Sequence, residues 1–99
     1  MSKAVRLTSL AKNDLADILE YLYYKLDAKT ANTFISKFED CLIAVSKNSE
    51  TYPYFSKEQN LQKCVLTKHN TIYFREDATE IVVIRIFDTR QNPDKLKLY

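Results

Sequence analysis

The sequence predicts an α+β fold: a short N-terminal strand, an antiparallel helical hairpin, then a three-stranded antiparallel meander, with the helices packed on one face of the sheet. Three observations predict it. Apolar residues between Leu15 and Val45 recur at helical spacing in two stripes, interrupted at Asp27. The second half of the chain changes to β-branched and aromatic runs over 61–68, 71–77 and 80–87. The breaks between those runs, near His69-Asn70 and Ala78-Thr79, are too short for anything but antiparallel hairpins.

Each element has a local cause. Residues 3–7 are a short candidate strand, and Thr8 or Ser9 caps the helix that follows. Leu15, Ile18, Leu19, Leu22 and Leu26 form its apolar stripe, while Asn13, Asp14, Asp17 and Glu20 are assigned to a solvated face. Asp27 ends this helix and caps the next, whose stripe is Ala31, Phe34, Ile35, Phe38, Cys41, Leu42 and Val45, ending near Asn48. So short a connection makes the helices antiparallel. Tyr52 to Phe55 is expected to be a loop with aromatic anchors, because Pro53 excludes a central strand. The tail from Lys95 to Tyr99 suits a further edge strand or a frayed end.

Strict alternation divides the sheet into two faces. Cys64, Leu66, Ile72, Phe74, Val82, Ile84 and Ile86 are expected to meet the helices. Lys63, Val65, Thr67, Tyr73, Arg75, Val83, Arg85 and Phe87 are expected on the other face, half apolar and half cationic, which is poor as a second core and suited to docking.

Composition narrows the function classes. Ninety-nine residues, 45% hydrophobic and 28% charged, fit one globular domain over 1–99. A formal charge of +2 is too mild to argue nucleic-acid binding from the total. Glycine is absent, where average usage gives about seven in such a length, which excludes glycine-rich phosphate loops and dinucleotide fingerprints. Turns therefore fall to Asn48, Asn60, Asn70 and Asp77. The start, Met1 to Arg6, lacks an apolar signal core and no run is long enough to span a membrane, so a cytoplasmic location is expected. Cys41 and Cys64 are too far apart in sequence for a CxxC pair and are expected as buried free thiols. No cofactor or metal is expected: Asp14, Asp17 and Glu20 form a convex row rather than a converging set.

The candidate functional residues lie on the cationic face. An arginine inside an apolar strand, such as Arg85 among Ile81, Val83 and Phe87, is costly to bury unless paired or kept wet. With Lys63, Arg75 and Arg90 it could grip phosphates, and Tyr73 could stack on a base or relay a proton. Metal-independent RNA cleavage also needs a base and an acid. His69 is the only histidine and falls in a turn, where a solvated role is the ordinary one; Lys63 or Tyr73 would need a shifted pKa to replace it. The alternative for the arginines is a solvated face paired to Glu76 or Glu80. Tyr21, Tyr23 and Tyr24 read as helix-edge packing with wet hydroxyls.

The layout, with Leu7-Thr8-x-x-Ala11 and Asp14-Leu15-x-x-Ile18 opening the hairpin and the run from Val83 to Asp88-Thr89-Arg90-Gln91-Asn92-Pro93 closing the meander, resembles the RelE/ParE superfamily of bacterial type II toxins. The resemblance covers essentially the whole chain and implies a cognate antitoxin whose C-terminal segment lies on the toxin surface. It also implies one of two targets. ParE-like members inhibit DNA gyrase; RelE-like members are ribosome-dependent mRNA endoribonucleases using a basic sheet face, to which Arg75, Arg85, Arg90, Tyr73 and Lys63 would correspond. Many relatives carry a histidine where this chain has Asp88, and an aspartate is a poor acid at neutral pH, so the sequence leans to the gyrase-directed side. A third reading is a degenerate toxin that binds only its antitoxin.

Overall fold

The computed structural model describes residues 3–89. The expected elements are present, together with a short 3-10 turn and one further strand: β1 (Ala4–Leu7), α1 (Ser9–Lys25), α2 (Ala28–Asn48), the 3-10 turn (Ser49–Thr51), β2 (Tyr54–Ser56), β3 (Leu61–Thr67), β4 (Asn70–Glu76) and β5 (Glu80–Asp88). They make one five-stranded sheet in the order β1-β5-β4-β3-β2, with both helices on one face. The meander β3-β4-β5 is antiparallel, and β1 adds to its edge parallel to β5, pairing Ala4 with Glu80 and Leu7 with Val83. β2 was not expected as a strand. It forms the opposite edge, where the missing N–H of Pro53, just before it, costs no ladder bond.

The caps follow the sequence. Thr8 Oγ1 accepts from Ala11 N at 3.0 Å to start α1, and Asp27 Oδ1 accepts from Thr30 N at 2.7 Å to start α2. Of the four residues expected to serve turns, only Asn60 has a left-handed backbone, at φ 54°. Asp77 serves differently: its carboxylate accepts from Thr79 N and Glu80 N, an Asx-type turn joining β4 to β5. Asn70 lies within β4.

The faces of β5 correct the alternation argument. Tyr73 pairs with Arg85 and Phe74 with Val83, so Ile84 is an extra residue, a β-bulge. On one side of it Ile81 and Val83 meet the helices, and on the other Ile86 does. Val82, Ile84 and Phe87 lie instead with Leu61 and Tyr73 in a second, smaller buried cluster on the far face. Val82 and Ile84 were thus assigned to the wrong face, and so was Val83. The main core joins Ala11, Phe34, Phe38 and Val45 from the helices to Cys64, Ile72, Phe74, Ile81, Val83 and Ile86 from the sheet. Full burial of side chains such as Phe74 or Ile72 contributes roughly 1.5–3 kcal/mol each.

Candidate functional site

The sheet brings three of the candidate residues into one row. Lys63 on β3 pairs with Tyr73 on β4, which pairs with Arg85 on β5. Direct cross-strand neighbours put their Cβ atoms about 4.5–5.5 Å apart. Arg75 sits two residues beyond Tyr73, on the same face, opposite Val82. Arg90 lies outside the described residues.

The side chains do not stay together. Tyr73 is buried, its ring edge-to-face with Phe55 of β2 at 5.0 Å, and that burial pushes its hydroxyl pKa up. It remains a phenol at neutral pH and is unsuited to act as a base. Lys63 is half-buried and Arg75 is exposed, and neither makes an ion pair with another described residue. His69 stands in the turn between β3 and β4, its carbonyl accepting from Thr89 N at 2.7 Å.

Arg85 turns away from the row towards α1. Its Nε and Nη2 donate to Asp14 Oδ2 and Oδ1 at 2.7 and 2.8 Å, a bidentate pair with side chains only 17% and 15% exposed. The carboxylate raises the guanidinium pKa further. Asp14 Oδ2 also accepts from Ile86 N at 3.0 Å. The expectation that Arg85 stays on a cationic face or pairs with Glu76 or Glu80 is therefore replaced. Glu80 holds Arg6, and Glu76 holds Lys3 and the Ser49 hydroxyl.

Asp14 was misassigned to a solvated row. The signal was present: Asp14 is three residues after Ala11 and four before Ile18, so it falls on the apolar stripe of α1. Two charges, each misplaced within its own element, answer one another across the helix–sheet interface. The backbone explains why they meet. β1 ends at Leu7, leaving the following part of the β5 edge without a strand neighbour. Thr8 N donates to Val83 O at 3.0 Å, Thr8 Oγ1 to Ile84 O at 2.8 Å, and Asp14 takes the Ile86 N–H. The first turns of α1 thus complete the edge that β1 leaves open. The bulge at Ile84 re-aims the strand beside Arg85.

Beside this junction lies a groove of about 900 Å³ between the helical hairpin and the end of the sheet. Ile18, Tyr21 and Leu22 of α1, Phe34 and Lys37 of α2, and Thr67, Asn70 and Ile86 of the strands line it. Tyr21, Tyr23, Tyr24 and Leu26 are exposed at the end of α1, more so than the helix-edge packing expected of the tyrosines. Among the described residues, no three His, Cys, Asp or Glu side chains converge on a possible metal position. No helix among them is long and apolar enough to cross a membrane.

Comparison with known proteins adds to this geometry. A family model described as ParE toxin of type II toxin-antitoxin system, parDE, matches residues 5–93. Solved structures share the fold, among them three toxin–antitoxin systems. The chromosomal ParDE system from P. aeruginosa superposes with a TM-score of 0.74 at 16% identity, covering 88% of this chain and 96% of that one. The RelBE2 toxin–antitoxin complex from Mycobacterium tuberculosis gives 0.56 at 18% identity, covering 89% and 99%. The DinJ-YafQ toxin–antitoxin complex from E. coli gives 0.60 at 6% identity, covering 91% and 96%. No curated protein sequence matches the chain.

Proposed function

The chain belongs to the ParE toxin family of type II toxin–antitoxin systems, and from that premise we propose that it arrests growth by docking on DNA gyrase and is silenced by a cognate antitoxin. The observation that carries the choice of target is the engagement of Arg85 by Asp14 inside the fold. With Arg85 committed to α1 and Tyr73 buried against Phe55, the described part of the basic row offers cations without a proton-transfer pair. A toxin acting through its surface needs no such pair.

The groove suits the antitoxin. It is lined by the apolar Ile18, Leu22, Phe34 and Ile86 and by charged groups of both signs, among them Asp17, Lys37 and Asp88, a fit for an amphipathic segment that folds on binding. The three solved relatives are described as toxin–antitoxin systems or complexes, which supports a partner of this kind.

The runner-up is a ribosome-dependent ribonuclease, favoured by the register that aligns Lys63, Tyr73 and Arg85 in one row. Purified toxin added in parallel to gyrase with supercoilable DNA and to ribosomes programmed with mRNA separates the two. Accumulation of cleaved DNA in complex with gyrase, with mRNA intact, is expected. Cleavage of mRNA in the decoding site with gyrase unaffected overturns the proposal.

A further inference from the structure

Cys41 and Cys64 come from different elements and meet at the interface between α2 and β3. Cys41 continues the sheet-facing stripe of α2 after Phe34 and Phe38, and Cys64 points into the same core from β3. Their sulfurs are 2.6 Å apart, although the residues are 23 positions apart in sequence, and neither is in a disulfide. Cys64 is buried while Cys41 is half-buried, so a small oxidant has a route to the pair.

We propose that Cys41 and Cys64 are a redox modification site, closed by peroxide into an intramolecular disulfide that staples α2 to β3. The staple joins the two walls of the groove next to its lining: Cys41 is one helical turn past Lys37, and Cys64 is three residues before Thr67. The inference is independent of which target the toxin has.

Chemistry and surroundings assign the order of events. The Cys64 thiolate is the easier to form, favoured by the contact with Cys41 and then by the nearby Tyr52 hydroxyl, while the contact with Cys64 and burial push the Cys41 thiol up. Cys64 sulfur attacks one peroxide oxygen; the O–O bond breaks and hydroxide leaves, giving a sulfenic acid. Cys41 then loses its proton and attacks the Cys64 sulfur; the S–O bond breaks and the leaving hydroxide takes up a proton as water. Two thiols and one hydrogen peroxide become one disulfide and two waters, the sulfurs oxidised and the peroxide reduced.

The test uses the purified chain, reduced and then treated with substoichiometric hydrogen peroxide. Intact mass under non-reducing conditions should show loss of two hydrogens with no added oxygen. The oxidised chain should resist alkylation at both cysteines, form no disulfide-linked dimer, and return to the reduced form with dithiothreitol. The thermal midpoint of the oxidised form should rise by about 15 °C, since the bond closes a loop of intermediate length. Cys41→Ser, at the half-buried position, should fold normally and show no peroxide-induced rise, while accumulating sulfenic acid at Cys64. Peroxide products that are disulfide-linked dimers, or over-oxidised thiols with both cysteines unlinked, overturn the proposal. So does an intramolecular bond that leaves the thermal midpoint where it was.

Discussion

Removing the Asp14 carboxylate should reveal how α1 is held to the sheet. In Asp14→Ala the Arg85 guanidinium loses both of its short bonds to that carboxylate, and the Ile86 N–H loses its acceptor. Breaking a buried ion pair from one side costs about 3–5 kcal/mol, and with both side chains roughly one-sixth exposed the lower end applies. An orphaned backbone N–H adds about 1 kcal/mol where water cannot reach it. A loss of about 3–4 kcal/mol is therefore expected, or roughly 12–32 °C in thermal midpoint for a chain of this size. Asp14→Asn keeps an acceptor for Ile86 N and should lose about half as much. Urea unfolding of Asp14→Leu, Arg85→Met and the double variant forms a cycle whose coupling should reach about 2 kcal/mol. The double variant, with neither charge left unpaired, should recover most of the stability and still arrest growth. A loss below about 1 kcal/mol in Asp14→Ala, or a coupling near zero, would falsify the buried lock and return Arg85 to the list of target-contacting residues.

Other perturbations probe the remaining contacts. Thr8→Ala removes both the cap of α1 and the hydroxyl bond to Ile84 O, and should cost about 1–2 kcal/mol in urea unfolding; a change of a few tenths would mean that water replaces both. Ser49 and Lys3 hold the Glu76 carboxyl below its ordinary pKa. Its contribution is therefore complete above the unfolded carboxylate range and is lost as pH falls through the lower, folded value. Glu76→Gln should flatten that acid limb of the stability curve, and an unchanged limb would count against the Ser49–Glu76–Lys3 cluster. Tyr73→Phe keeps the packing against Phe55 and should leave growth arrest intact, whereas a proton-transferring tyrosine requires its loss. Arg75→Ala should weaken growth arrest while shifting stability by less than about 0.5 kcal/mol, and undiminished arrest would remove Arg75 from the docking surface.

The parts of this fold that were legible are those written in local chemistry. Thr8 and Asp27 announce the helices, and the stripes through Phe34, Phe38 and Val45 give their buried sides. Asn13, Asp17 and Glu20 are exposed as periodicity suggested. What escaped depended on pairing between distant residues. A bulge at Ile84 has no glycine or proline to mark it, yet one extra residue exchanges the faces of everything on one side of it. β2 escaped because an edge strand tolerates the proline that excludes a central one. The oddity of Arg85 was visible from its apolar neighbours, but its answer lay in Asp14, 71 residues away. The proximity of Cys41 and Cys64 likewise follows only from the docking of α2 on β3.

Among the described residues, the first strand pairs with the last. Ala4 to Leu7 find their partners only in Glu80 to Val83, and the Thr8 hydroxyl meets a carbonyl 76 residues further on. Chain synthesis runs from the N-terminus at about 5–20 residues per second, so β1 waits several seconds for a neighbour, and pairings of such long range form slowly even then. During that interval the chain lacks a completed sheet edge and the seat on which α1 rests. A chain built this way cannot complete its sheet while the β5 residues are still unmade. The β1 edge closes only once β5 has emerged from the ribosome, and a partner made alongside has that time to be ready.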